Sequence, residues 1–191
     1  MIHHLAIATK NIVEAHHFYT KVMGFELVKA VKRKAPGGGW TKHIFYDMGD
    51  GALFALWDLR GLEGANLAPD AWRSGFSTGM GLPNWVNHIA FEAAGPEDFE
   101  RRRQRWLDHG YHVSVVDHGF IRSAYTIDPD GTMVEWAYKI TPLTPADKVE
   151  AGAILADDSP ATEEDYEGSF TKATVKKSRP VSAQTPSFEQ A

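Results

Sequence analysis

The pattern of apolar and polar positions repeats twice along the chain. The motif HLAI at residues 4–7 returns as HIAF at residues 88–91, and each copy opens a short strand that leads into a helix. Apolar residues at helical spacing predict the first helix over about residues 11–23. Pro96 at the favoured first position, followed by acidic residues, predicts the second helix over about residues 96–109. Internal similarity of this kind indicates a duplicated structural unit.

Each helix is followed by the same succession of strands and turns. A glycine ends each helix and a strand follows it at once. In each copy a tight turn, GDG at 49–51 or PDG at 129–131, separates the last two strands. This order predicts two βαβββ modules and an α+β fold. The predicted organisation is a first module over 1–59, a linker over 60–83, a second module over 84–140 and a C-terminal tail of low hydrophobicity over 141–191.

The PDG turn determines which side chains meet across the last hairpin. A type I turn followed by a left-handed glycine places Asp128 opposite Thr132, and counting back in register puts Tyr125 opposite Glu135. Directly opposed residues have Cβ atoms about 5 Å apart on one face of the sheet. An even-numbered loop after His118 brings that residue to the same face. We therefore predict that the tyrosine, the glutamate and, by a looser argument, the histidine serve one site.

Superposition of the two modules on their Asp-Gly turns completes a candidate site. His4 then coincides with His88, whereas Ala55 stands where the second module has Glu135. Two modules that pair their sheets around one cleft would bring His4, His88 and Glu135 together. Two imidazoles and one carboxylate with open positions suit non-haem Fe(II), and a lone carboxylate in an apolar strand is costly unless it has a partner. The other histidines lack the support of the repeat, and we assign structural or surface roles to His3, His16, His17, His43, His109 and His112.

Composition and charge narrow the range of partners. The formal net charge of -5 gives no electrostatic reason to expect nucleic acid or an anionic membrane, and we interpret the arginine run within residues 101–105 as the solvated face of a helix. The chain has no cysteine, so a metal must be held by nitrogen and oxygen ligands. The N-terminus has no signal-peptide pattern and no apolar segment reaches transmembrane length. We expect a cytoplasmic protein.

Four segments resemble the vicinal oxygen chelate superfamily over about residues 1–140: HHLAIAT, FYTKVMGFELV, VNHIAF and DPDGTMVEW. That superfamily includes glyoxalase I, fosfomycin and bleomycin resistance proteins and extradiol ring-cleaving dioxygenases. Within it, residues 116–118, 124–125, 128–131 and Glu135 resemble the type I extradiol dioxygenase signature, although the family prefers a larger apolar residue than Ala124. The length of the chain is similar to that of small one-domain extradiol dioxygenases that act on dihydroxybiphenyl-like catechols.

The resemblance implies a fold, an activity and a set of site residues. It implies paired curved sheets around one metal cleft, with His4, His88 and Glu135 binding Fe(II), or Mn(II) as the alternative metal. It also implies that His118 and Tyr125 act on the substrate from the second sphere. The expected reaction is extradiol cleavage of a small aromatic diol by O2, carried out by a homo-oligomer. Larger extradiol enzymes place another acid/base histidine on the last strand of the first module, where this chain has none, so His43 is a substitute to be tested.

Two other functions remain open at this stage. The first is a metal-dependent lyase, isomerase or epimerase of the glyoxalase type, which would need a fourth ligand where this chain has Ala55. The second is a non-catalytic protein of the bleomycin-resistance type that sequesters its ligand, and the three predicted metal ligands argue against it. Five aromatic residues are candidates for the wall of a substrate pocket, although each could instead belong to the core: Trp57, Trp72, Trp85, Phe120 and Trp136.

Overall fold

The structure is a computed structural model that describes residues 2–49, 51–62, 68, 70–161 and 168–180. Within these residues the strands and helices follow one another in the order that the repeat predicts, with two further elements from the tail. Their bounds are β1 (His4–Thr9), α1 (Ile12–His17), a π-helical turn (Phe18–Val22), β2 (Glu26–Lys34), β3 (Trp40–Asp47), β4 (Leu53–Arg60), a 3-10 turn (Thr78–Met80), β5 (His88–Glu92), α2 (Pro96–Asp108), β6 (Val113–Asp117), β7 (Ile121–Ile127), β8 (Met133–Lys139), α3 (Pro145–Leu155) and β9 (Gly168–Thr171).

The two modules form two sheets with the same strand order. The first sheet is ordered β1-β4-β3-β2, and the second is ordered β5-β8-β7-β6 and continues with β9. In both sheets the first strand of the module runs parallel to the last, because the helix returns the chain to the opposite end, and the remaining neighbours are antiparallel. The α+β fold with two βαβββ modules is thus confirmed.

The first helix changes its hydrogen-bond pattern part-way along. The Asn11 side chain accepts a backbone N–H of the first turn at 3.3 Å and caps α1. The periodicity predicted a continuous α-helix over about residues 11–23, but from Phe18 to Val22 the backbone has π geometry. In this segment Phe18, Tyr19 and Val22 are fully buried, so the wider turn presents more apolar residues to the core.

The arginine run of α2 is only partly solvated. Arg101 is exposed and pairs with a carboxylate of its own helix, as expected for a surface position. By contrast, the Arg102 guanidinium lies 3.9 Å from the centroid of the Trp136 ring. Arg105 donates two hydrogen bonds to the Lys21 carbonyl oxygen, at 2.9 and 2.7 Å. The interpretation of the whole run as a solvated face therefore needs correction for Arg102, which is half-buried and packs on the sheet. Arg105 is exposed as predicted and also ties the helix to the first module.

Aromatic side chains from both modules form one shared core. The Phe25 ring centroid lies 5.1 Å from that of Phe91 and 6.1 Å from that of Trp136. Phe54 of the first sheet lies 6.0 Å from the same Phe91 ring. Such aromatic pairs contribute about 0.5–1.5 kcal/mol each beyond their burial. Trp136, one candidate for a pocket wall, is 2% exposed and belongs to this core.

The PDG turn has the predicted register. The Asp128 backbone N–H donates to the Thr132 carbonyl oxygen at 2.9 Å, and Gly131 has a φ of 87°. The left-handed conformation at this position favours glycine. Tyr125 lies directly opposite Glu135, as predicted.

A buried hydrogen bond connects this turn to the first module. The Tyr19 hydroxyl donates to Asp128 Oδ2 at 2.8 Å, and both groups are buried. The Asp128 carboxylate also accepts the backbone N–H groups of Asp130 and Thr132, at 2.9 and 2.8 Å. Buried carboxyl groups are tolerated when they are hydrogen-bonded in this way. The turn that positions Tyr125 is therefore anchored from both modules.

Part of the C-terminal tail packs on both modules of the same chain. Strand β9 pairs antiparallel with β6 and extends the second sheet. Beyond it, the Ser178 hydroxyl lies 3.0 Å from His17 Nε2 and 2.9 Å from His109 Nδ1. Helix α3 begins with a capping box at Thr144 and has no buried residue. None of the helices in the described part of the chain combines the length and apolar character that crossing a membrane requires.

Candidate metal and substrate site

The centre of the second sheet carries the predicted carboxylate and its neighbours. Strand β8 lies between β5 and β7, so Glu135 is paired with Ala90 on one side and Tyr125 on the other. Side chains alternate between the two faces of a strand, which puts His88 on the same face as Glu135. His88 Nε2 lies 3.0 Å from Glu135 Oε2. The fold therefore brings together three of the predicted site residues.

The hydrogen bonds of His88 favour a cation at this pair. Its Nδ1 lies 3.0 Å from the backbone carbonyl oxygen of Trp85, which only accepts, so Nδ1 carries the proton. In the singly protonated form of the ring, Nε2 then presents a lone pair to the Glu135 carboxylate. Two such groups in contact require a positive charge between them, either a proton or a metal ion. A carbonyl that fixes the tautomer of a metal-binding histidine is a frequent arrangement, so this pair fits a metal with nitrogen and oxygen ligands.

Burial controls the electrostatics around the pair. Glu135 is 2% exposed, and a buried carboxylate is stable only with a partner. Burial also raises the pKa of the Tyr125 hydroxyl, and the neighbouring Glu135 carboxylate raises it further. The phenol therefore keeps its proton at neutral pH and is available as a hydrogen-bond donor.

His118 reaches this cluster from a tight loop. Its backbone N–H donates to the Ile121 carbonyl oxygen at 3.0 Å across a two-residue loop in which Gly119 has a φ of 82°. The even-numbered loop brings His118 to the face of Tyr125, as predicted, and His118 Nε2 lies 3.0 Å from the Tyr125 hydroxyl oxygen. A chain of polar groups thus runs from Glu135 through Tyr125 to His118.

His4 does not join this group. It opens β1 at the position equivalent to His88, but its Nδ1 lies 2.8 Å from His3 Nδ1 and its ring centroid lies 6.2 Å from that of His43. In the parts of the chain that the structure describes, no three His, Cys, Asp or Glu side chains lie close enough together to hold a metal ion. A three-ligand site requires His4 to approach His88 and Glu135, and the complete ligand set stays a prediction.

His43 lies beside His4 on the same face of the first sheet. Its ring stacks on Trp57, with centroids 3.8 Å apart and planes inclined by 11°. Burial lowers its pKa, and the adjacent His4 lowers it further. His43 Nε2 is buried and has no hydrogen-bond partner among the described residues. A neutral imidazole with one unsatisfied nitrogen can accept or donate a proton, but the structure assigns it no partner.

Ala55 lies at the position of the first module that is equivalent to Glu135, and it presents only a methyl group there. The register places it between Ala6 of β1 and Phe45 of β3, and it is fully buried. No side-chain oxygen is available at this position. The first sheet therefore contributes at most His4 to a metal site built on these positions.

The family is shown by comparison of the whole chain with known protein families. Residues 1–136 match the Glyoxalase/Bleomycin resistance protein/Dioxygenase superfamily. This chain belongs to that superfamily. The match ends just after Glu135. The last residues of β8, helix α3 and strand β9 therefore lie outside the segment of this chain that matches the superfamily.

Solved structures show the same fold at low sequence identity. A glyoxalase/bleomycin resistance protein/dioxygenase domain from Frankia sp. EAN1pec is 12% identical with a TM-score of 0.53, and the alignment covers 73% of this chain and 97% of that one. The trypanothione-dependent glyoxalase I of Leishmania major is 19% identical with a TM-score of 0.48, with 81% and 94% covered. A search of curated proteins finds no match. The likeness to the Frankia domain is one of fold and leaves the reaction open.

The sequence analysis missed the contribution of the tail to the surroundings of the site. Phe170 of β9 and Lys177 line a cavity together with Tyr125. Only a weak signal pointed to this role, because GSFT offers a single large apolar residue, Phe170, in a polar segment. Strand β9 is held by main-chain hydrogen bonds that depend little on side-chain type, and so no pattern of side chains marked it.

Proposed function

We propose that this protein is an Fe(II)-dependent dioxygenase that cleaves the ring of a catechol beside its two hydroxyl groups. The observation that carries the proposal is the His88–Glu135 pair, in which the Trp85 carbonyl leaves the Nε2 lone pair facing the carboxylate. Next to that pair, the Tyr125 hydroxyl and His118 Nε2 lie 3.0 Å apart and are two groups that can exchange a proton. A metal position and an acid/base pair on one sheet face are the two requirements of this chemistry.

His4, His88 and Glu135 would hold the iron, or Mn(II) in its place. Two histidines and one carboxylate would leave room at the metal for the substrate and O2. When bound, Fe(II) supplies the redox chemistry that combines O2 with the aromatic ring. Both oxygen atoms of O2 enter the ring-opened product, so the reaction needs no external reductant.

The protein's own groups would manage the protons and the orientation of the diol. His118 Nε2 would accept a proton from a catechol hydroxyl and return it later in the reaction, which suits an imidazole near neutral pH. The Tyr125 hydroxyl, kept protonated by burial and by Glu135, would donate a hydrogen bond to an oxygen of the diol. Holding the diol in one orientation supports catalysis because it removes rotational freedom before the reaction.

A non-catalytic ligand-binding protein is the second candidate. The observation that favours it is that His4 lies against His3 and near His43, while the described residues contain no group of three possible metal ligands. In that case the cleft would bind an aromatic ligand without turnover. A glyoxalase-type lyase or isomerase is the weaker alternative, since Ala55 provides no fourth ligand.

Anaerobic reconstitution with Fe(II) tests the proposal. We would measure iron content, then O2 uptake and the appearance of a coloured ring-fission product with 2,3-dihydroxybiphenyl and simple catechols. The proposal predicts about one iron per chain and one O2 consumed per diol. Bound iron without O2 uptake across the catechol panel would refute the dioxygenase, and ligand binding without any metal would favour the second candidate. Light scattering in the same preparation tests the proposed homo-oligomer.

A further inference from the structure

A cavity of about 340 Å³ lies between the second sheet and the C-terminal tail. Ser114, Tyr125 and Ile127 line it from the sheet, and Phe170 and Lys177 line it from the tail. Its volume is near the lower limit of the roughly 300–1,000 Å³ that ligand pockets usually have. The size suits a single aromatic ring with a short substituent.

The cavity borders the candidate metal site directly. Tyr125 belongs to both, because its hydroxyl contacts His118 while its side chain lines the cavity. Met133 also lines the cavity and lies directly opposite His88 in the β5–β8 register. A substrate whose diol faces Glu135 would therefore extend its substituent past Tyr125 and Met133 into the cavity.

The tail that forms one wall is fixed to the domain. Phe170 lies directly opposite Ser114 in the β6–β9 register. The Ala173 backbone N–H donates to His112 Nδ1 at 3.0 Å, and the Ser178 backbone N–H donates to the His109 carbonyl oxygen at 2.8 Å. The contacts of Phe170 and Ala173 precede Lys177 in the chain, and the contact of Ser178 follows it. The position of its backbone is thus set by the fold.

Gly110 at the end of α2 lies in close contact with the backbone of the same tail segment. A Cβ atom at Gly110 would meet the backbone of Lys176 and Lys177 at 2.4 Å, and Gly110 has a φ of 83°. Both observations require glycine at this position. The tail backbone can lie against the end of α2 only because this residue has no side chain.

The lining of the cavity carries a positive charge and no carboxylate. The Lys177 ammonium lies 4.6 Å from the centroid of the Tyr111 ring, and no ion pair joins it to a carboxylate in the described parts of the chain. The lining residues include Lys177 and His112 but no Asp or Glu. Phe170 and Tyr111 add flat apolar surface. An ammonium group beside aromatic rings, without a competing carboxylate, is suited to an aromatic carboxylate.

We propose that this cavity is a subsite for the carboxylate-bearing substituent of a monocyclic aromatic substrate, with Lys177 binding the carboxylate and Phe170 packing on the ring or its linker. The proposal rests on the proposed function, since it names a carboxylated catechol as the substrate class of the adjacent site. It also assigns a binding role to the tail, which lies outside the part of the chain that matches the family.

Binding of a redox-inert probe to the full-length protein tests the subsite without any ring cleavage. Ligand-observed NMR titration would compare benzoate with benzamide, which has the same shape and no charge. We expect benzoate to bind at least about tenfold more tightly and its affinity to fall with added salt, because the contact is electrostatic. Equal affinity for the two probes in the wild-type protein would overturn the proposal, whatever the variants do.

Two lysine variants locate the contact. Lys177→Gln should weaken benzoate binding about tenfold and leave benzamide binding unchanged, and Lys177→Arg should restore most of it. The control is Lys176→Gln, which removes the same charge from the neighbouring exposed position and should have no effect. An equal loss in both glutamine variants would show a general effect of tail charge and overturn the assignment. Neither probe reacts, so the binding experiment and the O2-uptake experiment give independent results. Benzoate binding that depends on Lys177, without O2 uptake, would refute only the dioxygenase. O2 uptake without benzoate binding at Lys177 would refute only the subsite.

Discussion

The buried Asp128 carboxyl is expected to make the protein less stable as the pH rises. Asp128 is 3% exposed, and burial raises its pKa to about 7, compared with about 3.9 in an unfolded chain. A carboxyl group with a higher pKa in the folded state binds its proton more tightly there. The stability that this proton contributes is therefore complete below about pH 4 and is lost as the pH rises through about 7.

The expected magnitude follows from the difference between the two pKa values. A shift of about three pH units corresponds to about 4 kcal/mol in the free energy of unfolding. Most of this change falls between pH 5 and pH 8, where roughly 3 kcal/mol is lost. The Asp128→Asn variant keeps an acceptor for the Thr132 N–H but cannot titrate. Relative to this variant, the wild-type protein should lose roughly 3 kcal/mol between pH 5 and pH 8.

Urea unfolding followed by tryptophan fluorescence at unit steps from pH 5 to pH 8 measures this difference. Glu97→Gln, which removes an exposed carboxylate of α2, is the matched control and should follow the wild-type curve. A difference between wild type and Asp128→Asn that stays constant with pH would refute the reasoning. A wild-type protein that gains relative stability at high pH would show that the hydrogen bonds of the turn stabilise the anion by more than burial destabilises it.

Three further changes test the site and the tail. Glu135→Ala should abolish iron retention measured by metal analysis after gel filtration, since it removes the only predicted carboxylate ligand; retained iron would mean that the ligand set is wrong. His118→Phe should keep the iron but lower kcat by about 10²–10⁴, the usual contribution of a general acid or base; an unchanged kcat would show that its role is misassigned. Gly110→Ala should lower the free energy of unfolding by at least about 1–3 kcal/mol, because alanine is strained at a φ of 83° and its Cβ meets the tail at 2.4 Å. Limited proteolysis of this variant should cut the tail faster than in the wild-type protein. An unchanged rate of proteolysis would argue against the packing of the tail on Gly110.

Local rules were enough to predict the hairpin of the second module. The Pro-Asp-Gly turn restricts its own backbone conformation, so the pairing of Tyr125 with Glu135 followed from neighbouring residues alone. The repeat then placed His88 on the same face, and the structure confirms their contact. Helix α2 begins at the predicted residue because Pro96 and the acidic first turn are local signals.

Features that depend on distant parts of the chain were not predictable. The superposition of modules identified His4 as equivalent to His88 but contained no information on how the two sheets face each other, and it did not predict that the His4 ring lies 6.2 Å from that of His43. The packing of Arg102 on Trp136 joins a helix to a sheet through a cation–π contact that charge patterning cannot reveal. Likewise, the fixation of Lys177 depends on main-chain contacts with β6 and the end of α2.

Strand β9 also affects how this protein can self-associate. With only four residues, it covers the outer edge of β6 and leaves a short new edge, a known protection against uncontrolled strand pairing. At the far side of the first sheet, the exposed strand β2 carries Lys29, Lys32, Arg33 and Lys34. Two copies meeting along this edge would bring like charges together, which opposes pairing. We therefore expect solubility to fall when the chain is truncated before residue 168, and any natural oligomer to form without pairing of two β2 edges.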